Sequence, residues 1–65
     1  MNDQMQNRIA EKFRSALVEF FVATKTGTAS EVQRADLSRA FAMAEQLPDS
    51  LFSQTVRSAR LEAGI

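Results

Sequence analysis

The chain has 65 residues, with eight basic and eight acidic side chains and no histidine, cysteine, tryptophan or tyrosine. Without histidine or cysteine it lacks a disulfide, the usual zinc ligands and the usual general base near neutral pH. The formal net charge of zero also lacks the basic excess by which most nucleic-acid-binding proteins attract phosphates, so we expect a protein that is not an enzyme and holds no metal or cofactor.

The first predicted helix spans about residues 3–25. Asn2 or Asp3 is suited to accept a hydrogen bond from a free backbone N–H at the helix start. Gly27 is placed to end the helix in the left-handed conformation. The apolar residues recur at helical spacing and share one face: Met5, Ile9, Ala10, Phe13, Ala16, Leu17, Phe20, Phe21 and Ala23.

The second predicted helix spans about residues 30–47. Its start carries two alternative capping boxes, Thr28 with Glu31 or Ser30 with Gln33, in which a hydroxyl precedes an acid or amide by three residues. Pro48 disfavours helical geometry in the residue before it, so we expect the helix to run up to that proline. One apolar face is predicted, made of Leu37, Ala40, Phe41, Ala44 and Leu47.

The third predicted helix spans about residues 49–63. Pro48 is suited to its first position, Asp49 to the positive end of its dipole and Gly64 to its closing turn. Because both connections are short, neighbouring helices should be antiparallel. The fold class is therefore all-α, an up-down-up three-helix bundle, with a helical hairpin crossed by a third helix as the alternative.

The length accommodates one small helical domain, residues 1–65, near the lower limit for independent folding. A core of this size supplies only about 3–5 kcal/mol, so tight helix packing or self-association is expected. The apolar runs are too short to span a bilayer, and the N-terminal residues lack the basic-then-apolar order of a signal peptide. We expect a cytoplasmic protein that does not insert into a membrane.

The apolar residues exceed what one face of each helix needs. Val18 and Val22 lie outside the main arc of the first helix, and Met43 extends the face of the second. Exposed apolar patches on soluble proteins commonly mark interfaces. The sequence therefore predicts a protein-protein interaction module, an adaptor, inhibitor or regulatory subunit, whose interface contains Val18, Phe21, Val22 and Met43. The alternative is that the third helix covers these residues as core.

Two other functions remain open at this stage. A dimeric, helix-turn-helix-like regulator could contact DNA through Gln54, Arg57 and Arg60 of the third helix, whose side chains can reach base edges and phosphates. A structural homo-oligomer, most simply a homodimer, would link folding to association and make stability depend on concentration. We favour the interaction module over both.

Overall fold

The computed structural model describes residues 3–65, which form three α-helices: α1 (Asp3–Thr26), α2 (Glu31–Ala44) and α3 (Asp49–Ala63). None of the described residues lies in a strand. Helix α1 packs against both α2 and α3, whereas α2 and α3 approach each other at few points. At the far end of α3, the carbonyl of Gly64 lies 3.4 Å from the Lys25 Nζ near the end of α1. The two helices thus run in the same direction, and the fold is the predicted all-α, up-down-up three-helix bundle.

The ends of α1 and α3 are closed by glycines, as the sequence predicts. Gly27 has a φ of 73° and Gly64 a φ of 75°, a region in which side chains with a Cβ are strained. After α1, the Thr28 N–H donates to the Ala23 carbonyl at 2.7 Å. The Ile65 N–H makes the equivalent bond to the Arg60 carbonyl at 3.1 Å, so both ends satisfy carbonyls that a helix leaves unpaired.

At the start of α1, the predicted cap Asn2 lies outside the described residues, and Asp3 is the first helical residue rather than a cap. At the start of α2, the structure selects one of the two predicted capping boxes. The Gln33 N–H donates to Ser30 Oγ at 3.3 Å, and the Ser30 N–H donates to Gln33 Oε1 at 3.0 Å. Because two free donors are paired reciprocally, α2 begins sharply at Glu31.

The end of α2 differs from the prediction. The helix ends at Ala44 rather than at Leu47, and the next residues form a turn in which the Leu47 N–H donates to the Ala44 carbonyl at 3.0 Å. Since Pro48 disfavours helical geometry at Leu47, the last turn tightens and Leu47 leaves the helical path to enter the core. Pro48 itself lies one residue before α3, not at its first position, and its carbonyl accepts the first α3 bond from the Phe52 N–H at 2.9 Å.

The core centres on Phe13 of α1, the largest side chain that is fully buried. Its ring centroid lies 5.6 Å from that of Phe41 on α2 and 5.1 Å from that of Phe52 on α3. One aromatic ring from each helix therefore meets at a single point, in the edge-on and tilted geometries that aromatic pairs prefer. Small apolar residues surround this cluster: Ala10, Leu17, Ala44, Leu47 and Ala59.

Helix α3 is also held to α1 by charge. The Arg14 guanidinium binds the Glu62 carboxylate of α3 and lies 3.8 Å from the Glu11 carboxylate of its own helix. Nothing of this kind joins α2 to α1, because the only ion pair that α2 makes in the described part of the chain is internal, between Arg39 and Asp36 at 3.1 Å. Helix α2 therefore depends on apolar packing and its cap alone.

Candidate functional site

The sequence-predicted interface residues of α1 divide between core and surface. Val18 and Phe21 are half-buried and pack against the core, which leaves only part of each side chain accessible. Val22, one turn beyond Val18, is exposed. Val18 and Phe21 thus contribute to the fold, while Val22 is 42% exposed.

Met43 of α2, the fourth predicted residue, is exposed but lies elsewhere on the molecule. It lines a groove between α1 and α2 together with Ile9 and Ala16 of α1 and Ala40 of α2. Val18, Phe21 and Val22 do not line this groove. The groove thus brings Met43 together with α1 residues other than the three predicted with it, and the four-residue interface stays a prediction.

Helix α2 is the least buried of the three helices. Within Glu31–Ala44, Ala44 alone is buried. Three large apolar side chains of this helix, Val32, Phe41 and Met43, are exposed. Because so little of its apolar surface is buried in the core, α2 is the helix on which a binding surface for another molecule is most expected.

One hollow beside α2 is aromatic. Phe41 is 45% exposed although its ring meets Phe13 and also Phe52, whose centroid is 5.5 Å away. Phe20 of α1 and Leu37 of α2 stand beside it. We call this the aromatic hollow; it encloses about 450 Å³ and is lined by Phe20, Arg34, Leu37, Ser38, Phe41, Ala42 and Glu45.

Phe41 and Phe20 were predicted to lie on buried faces, so the aromatic hollow was not predicted. Their positions at helical spacing are those of core residues, and the spacing was correctly interpreted for α1 and α2 separately. The hollow is lined by residues of α1 and α2 together. The pattern of either helix alone does not predict how the two faces meet.

The second opening is the groove on the other side of α2, which we call the α1–α2 groove. It encloses about 880 Å³ and combines an apolar floor with charged edges. The charged side chains of α1 along the groove are Arg8, Glu11, Lys12 and Glu19. The floor includes Ala16 and Met43. Both signs of charge are present along this one side of α1.

The residues predicted to contact DNA lie on the surface of α3. Gln54, Arg57 and Arg60 are all exposed. Arg57 and Arg60 enter no ion pair with other described residues, and Gln54 lines an open hollow that α3 forms with α1. These placements leave all three accessible, and DNA binding stays a prediction.

The openings on either side of α2 are surfaces that the described residues offer for binding. No group of three or more acidic side chains within residues 3–65 is arranged to hold a metal ion. Over the same residues, no helix has both the length and the apolar character needed to cross a membrane. The candidate site is therefore the pair of openings on either side of α2.

Comparison of the chain with models of protein families, with curated proteins and with solved structures found no match. The function has to be inferred from the surface of the bundle itself.

Proposed function

We propose that the chain is a non-enzymatic regulatory protein of the cytoplasm that binds a partner protein, with the aromatic hollow as its anchor. The observation that supports this proposal is the position of Phe41. Its ring belongs to the central aromatic cluster, yet 45% of the residue is exposed. A bundle that needed Phe41 only for its core would cover it.

The packing of Phe41 suits it to be a binding anchor. The Phe13 and Phe52 rings each meet it at an interplanar angle of 84°. A ring held in this way loses little conformational freedom when a partner covers its remaining face, which reduces the entropic cost of binding. Large, preorganised aromatic side chains at the centre of a patch are the residues that most often dominate binding energy.

The surroundings of the hollow define the chemistry of the partner. Phe20, Leu37 and Ala42 give the hollow apolar walls, and Arg34 and Glu45 supply one charge of each sign at its edge. This combination fits an apolar side chain, presented by another protein, with polar groups around it. A volume of about 450 Å³ is large enough for one or two such side chains.

The test introduces a charge into the hollow without disturbing the core. Ala42 is exposed and lines the hollow, so Ala42→Glu keeps a helix-forming residue and adds a carboxylate where the partner should insert. Val32→Glu is the matched control, because Val32 lies on the same helix, is 69% exposed and does not line the hollow. Both variants should keep the helicity of the parent chain.

Binding is measured by capturing partners from a cell lysate and then titrating a purified, captured protein by calorimetry. We expect Ala42→Glu to weaken that affinity at least about tenfold, equivalent to about 1.4 kcal/mol, and Val32→Glu to leave it unchanged. If Ala42→Glu binds like the parent chain while Val32→Glu does not, the anchor is elsewhere on α2. If neither affects any specific partner, the proposed site is wrong.

A further inference from the structure

A stripe of charges on α1 makes no ion pair with any other residue in the described range 3–65. Arg8, Lys12, Ser15 and Glu19 follow one another by steps of four, three and four, so they share one side of the helix. All four line the α1–α2 groove. Among the described residues, the ion pairs formed are Arg14 with Glu11 and Glu62 and Arg39 with Asp36, none of which involves this stripe.

The charges of the stripe are separated along the helix. Arg8 and Lys12 make its first half positive, and Glu19 makes its second half negative. Lys12 and Glu19 are seven residues apart, or about 10 Å at 1.5 Å per residue, too far for a direct ion pair on one helix. Between them lie Ser15 and Ala16, whose small side chains allow another helix to approach closely.

We propose that this stripe is the interface at which two copies of the chain associate, with the two α1 helices antiparallel. A two-fold axis perpendicular to α1 at the level of Ser15 and Ala16 exchanges the two halves of the stripe. Lys12 of each copy then lies opposite Glu19 of the other, which forms two equivalent ion pairs. A surface whose charge pattern is complementary to itself under a two-fold rotation fits a second copy better than an unrelated protein.

The apolar floor of the groove supports the same arrangement. Ala16 and Ala40 are half-buried and Met43 is exposed in the single chain, so a second copy would remove their remaining surface from water. Methionine adapts to irregular contacts, which suits it to the edge of a symmetric interface. Such an interface also adds to the stability of a chain whose own core is small.

This inference does not depend on the aromatic hollow, which lies on the other side of α2. The residues that line the hollow are not those that carry the stripe. A dimer formed through the groove leaves the hollow open to a different protein. Loss of self-association and loss of partner binding can therefore be measured separately with different variants.

The experiment is a charge reversal with rescue by mixing. Lys12 and Glu19 are exposed, so K12E and E19K should both fold. In a K12E dimer, the glutamate introduced at position 12 of each copy lies opposite Glu19 of the other copy. In an E19K dimer, the lysine introduced at position 19 likewise lies opposite Lys12 of the other copy. Each variant alone should have a dimer dissociation constant raised at least about tenfold, because like charges are brought together twice in one symmetric interface.

An equimolar mixture of K12E and E19K should recover association, since the two stripes are again complementary. Mass is followed by sedimentation equilibrium over a dilution series, with helicity recorded on the same samples. The control is R57E, which reverses an exposed charge of α3 away from the groove and should dimerise like the parent chain. A parent chain that is monomeric at about 1 mM, where even weak interfaces form, overturns the proposal, as does a mixture that stays monomeric.

Discussion

Replacement of Phe13 by alanine should remove most of the stability of the bundle. Phe13 is fully buried and contacts an aromatic ring from each of the other two helices. Truncation of a buried phenylalanine to alanine costs about 3–5 kcal/mol, from lost transfer energy and the cavity left behind. The core of a chain this small contributes a similar total, about 3–5 kcal/mol. Phe13→Ala should therefore be largely unfolded.

Phe41→Ala is the matched comparison, because it is the same substitution in the same cluster. Phe41 is 45% exposed, so roughly half of its surface is buried and the cost should be about 2 kcal/mol. Phe13→Leu gives a third value that stays within a measurable range, about 1–2 kcal/mol. The predicted order of destabilisation is Phe13→Ala, then Phe41→Ala and Phe13→Leu.

Urea unfolding followed by far-ultraviolet circular dichroism measures these differences at one fixed protein concentration, which removes any effect of association. The decisive comparison is between the two alanine variants. If Phe13→Ala still unfolds cooperatively with a loss below about 1 kcal/mol, the aromatic cluster is not the centre of the core. If Phe41→Ala costs as much as Phe13→Ala, burial does not set the order of the two rings.

The same assay tests two further predictions. Ser30→Ala removes the hydroxyl of the α2 capping box and should cost about 1 kcal/mol, whereas Ser38→Ala, in the exposed middle of that helix, should cost nothing; equal effects would show that the cap is unimportant. Val18→Asp places a charge on a half-buried position against the core and should cost about 2 kcal/mol, while Val22→Asp, at a position that is 42% exposed, should cost about 1 kcal/mol. A Val18→Asp variant as stable as Val22→Asp would return Val18 to the predicted interface.

The local sequence was sufficient to predict the start of α2 and the glycines that close α1 and α3. These signals act over only a few residues. Ser30 and Gln33 form a capping box at the start of α2, one of the two that were predicted. Gly27 and Gly64 close α1 and α3 as expected. The end of α2 was predicted three residues late because Leu47 continues the apolar pattern. Periodicity alone does not distinguish a last helical residue from a turn residue that fills the core.

The candidate site was harder to predict because it depends on how the helices are placed against one another. The helix faces that carry Phe13, Phe41 and Phe52 were identified one helix at a time. The point where the three rings meet depends on how all three helices pack together. The exposure of Phe41, and the position of Met43 in a groove that does not include Val22, follow from how the helices pack together. The charges of Lys12 and Glu19 were visible in the sequence, but only the ion pairs made elsewhere show that these two have no partner within residues 3–65.

The measurement that tests the central claim most directly is a titration of the isotope-labelled chain with a captured partner, followed by backbone amide chemical shifts. If the partner binds in the aromatic hollow, the largest shifts should occur at the residues that line it, among them Phe20, Leu37, Phe41 and Ala42. Shifts concentrated instead at Gln54, Arg57 and Arg60 on α3 would contradict this prediction and place the protein-binding surface on that helix.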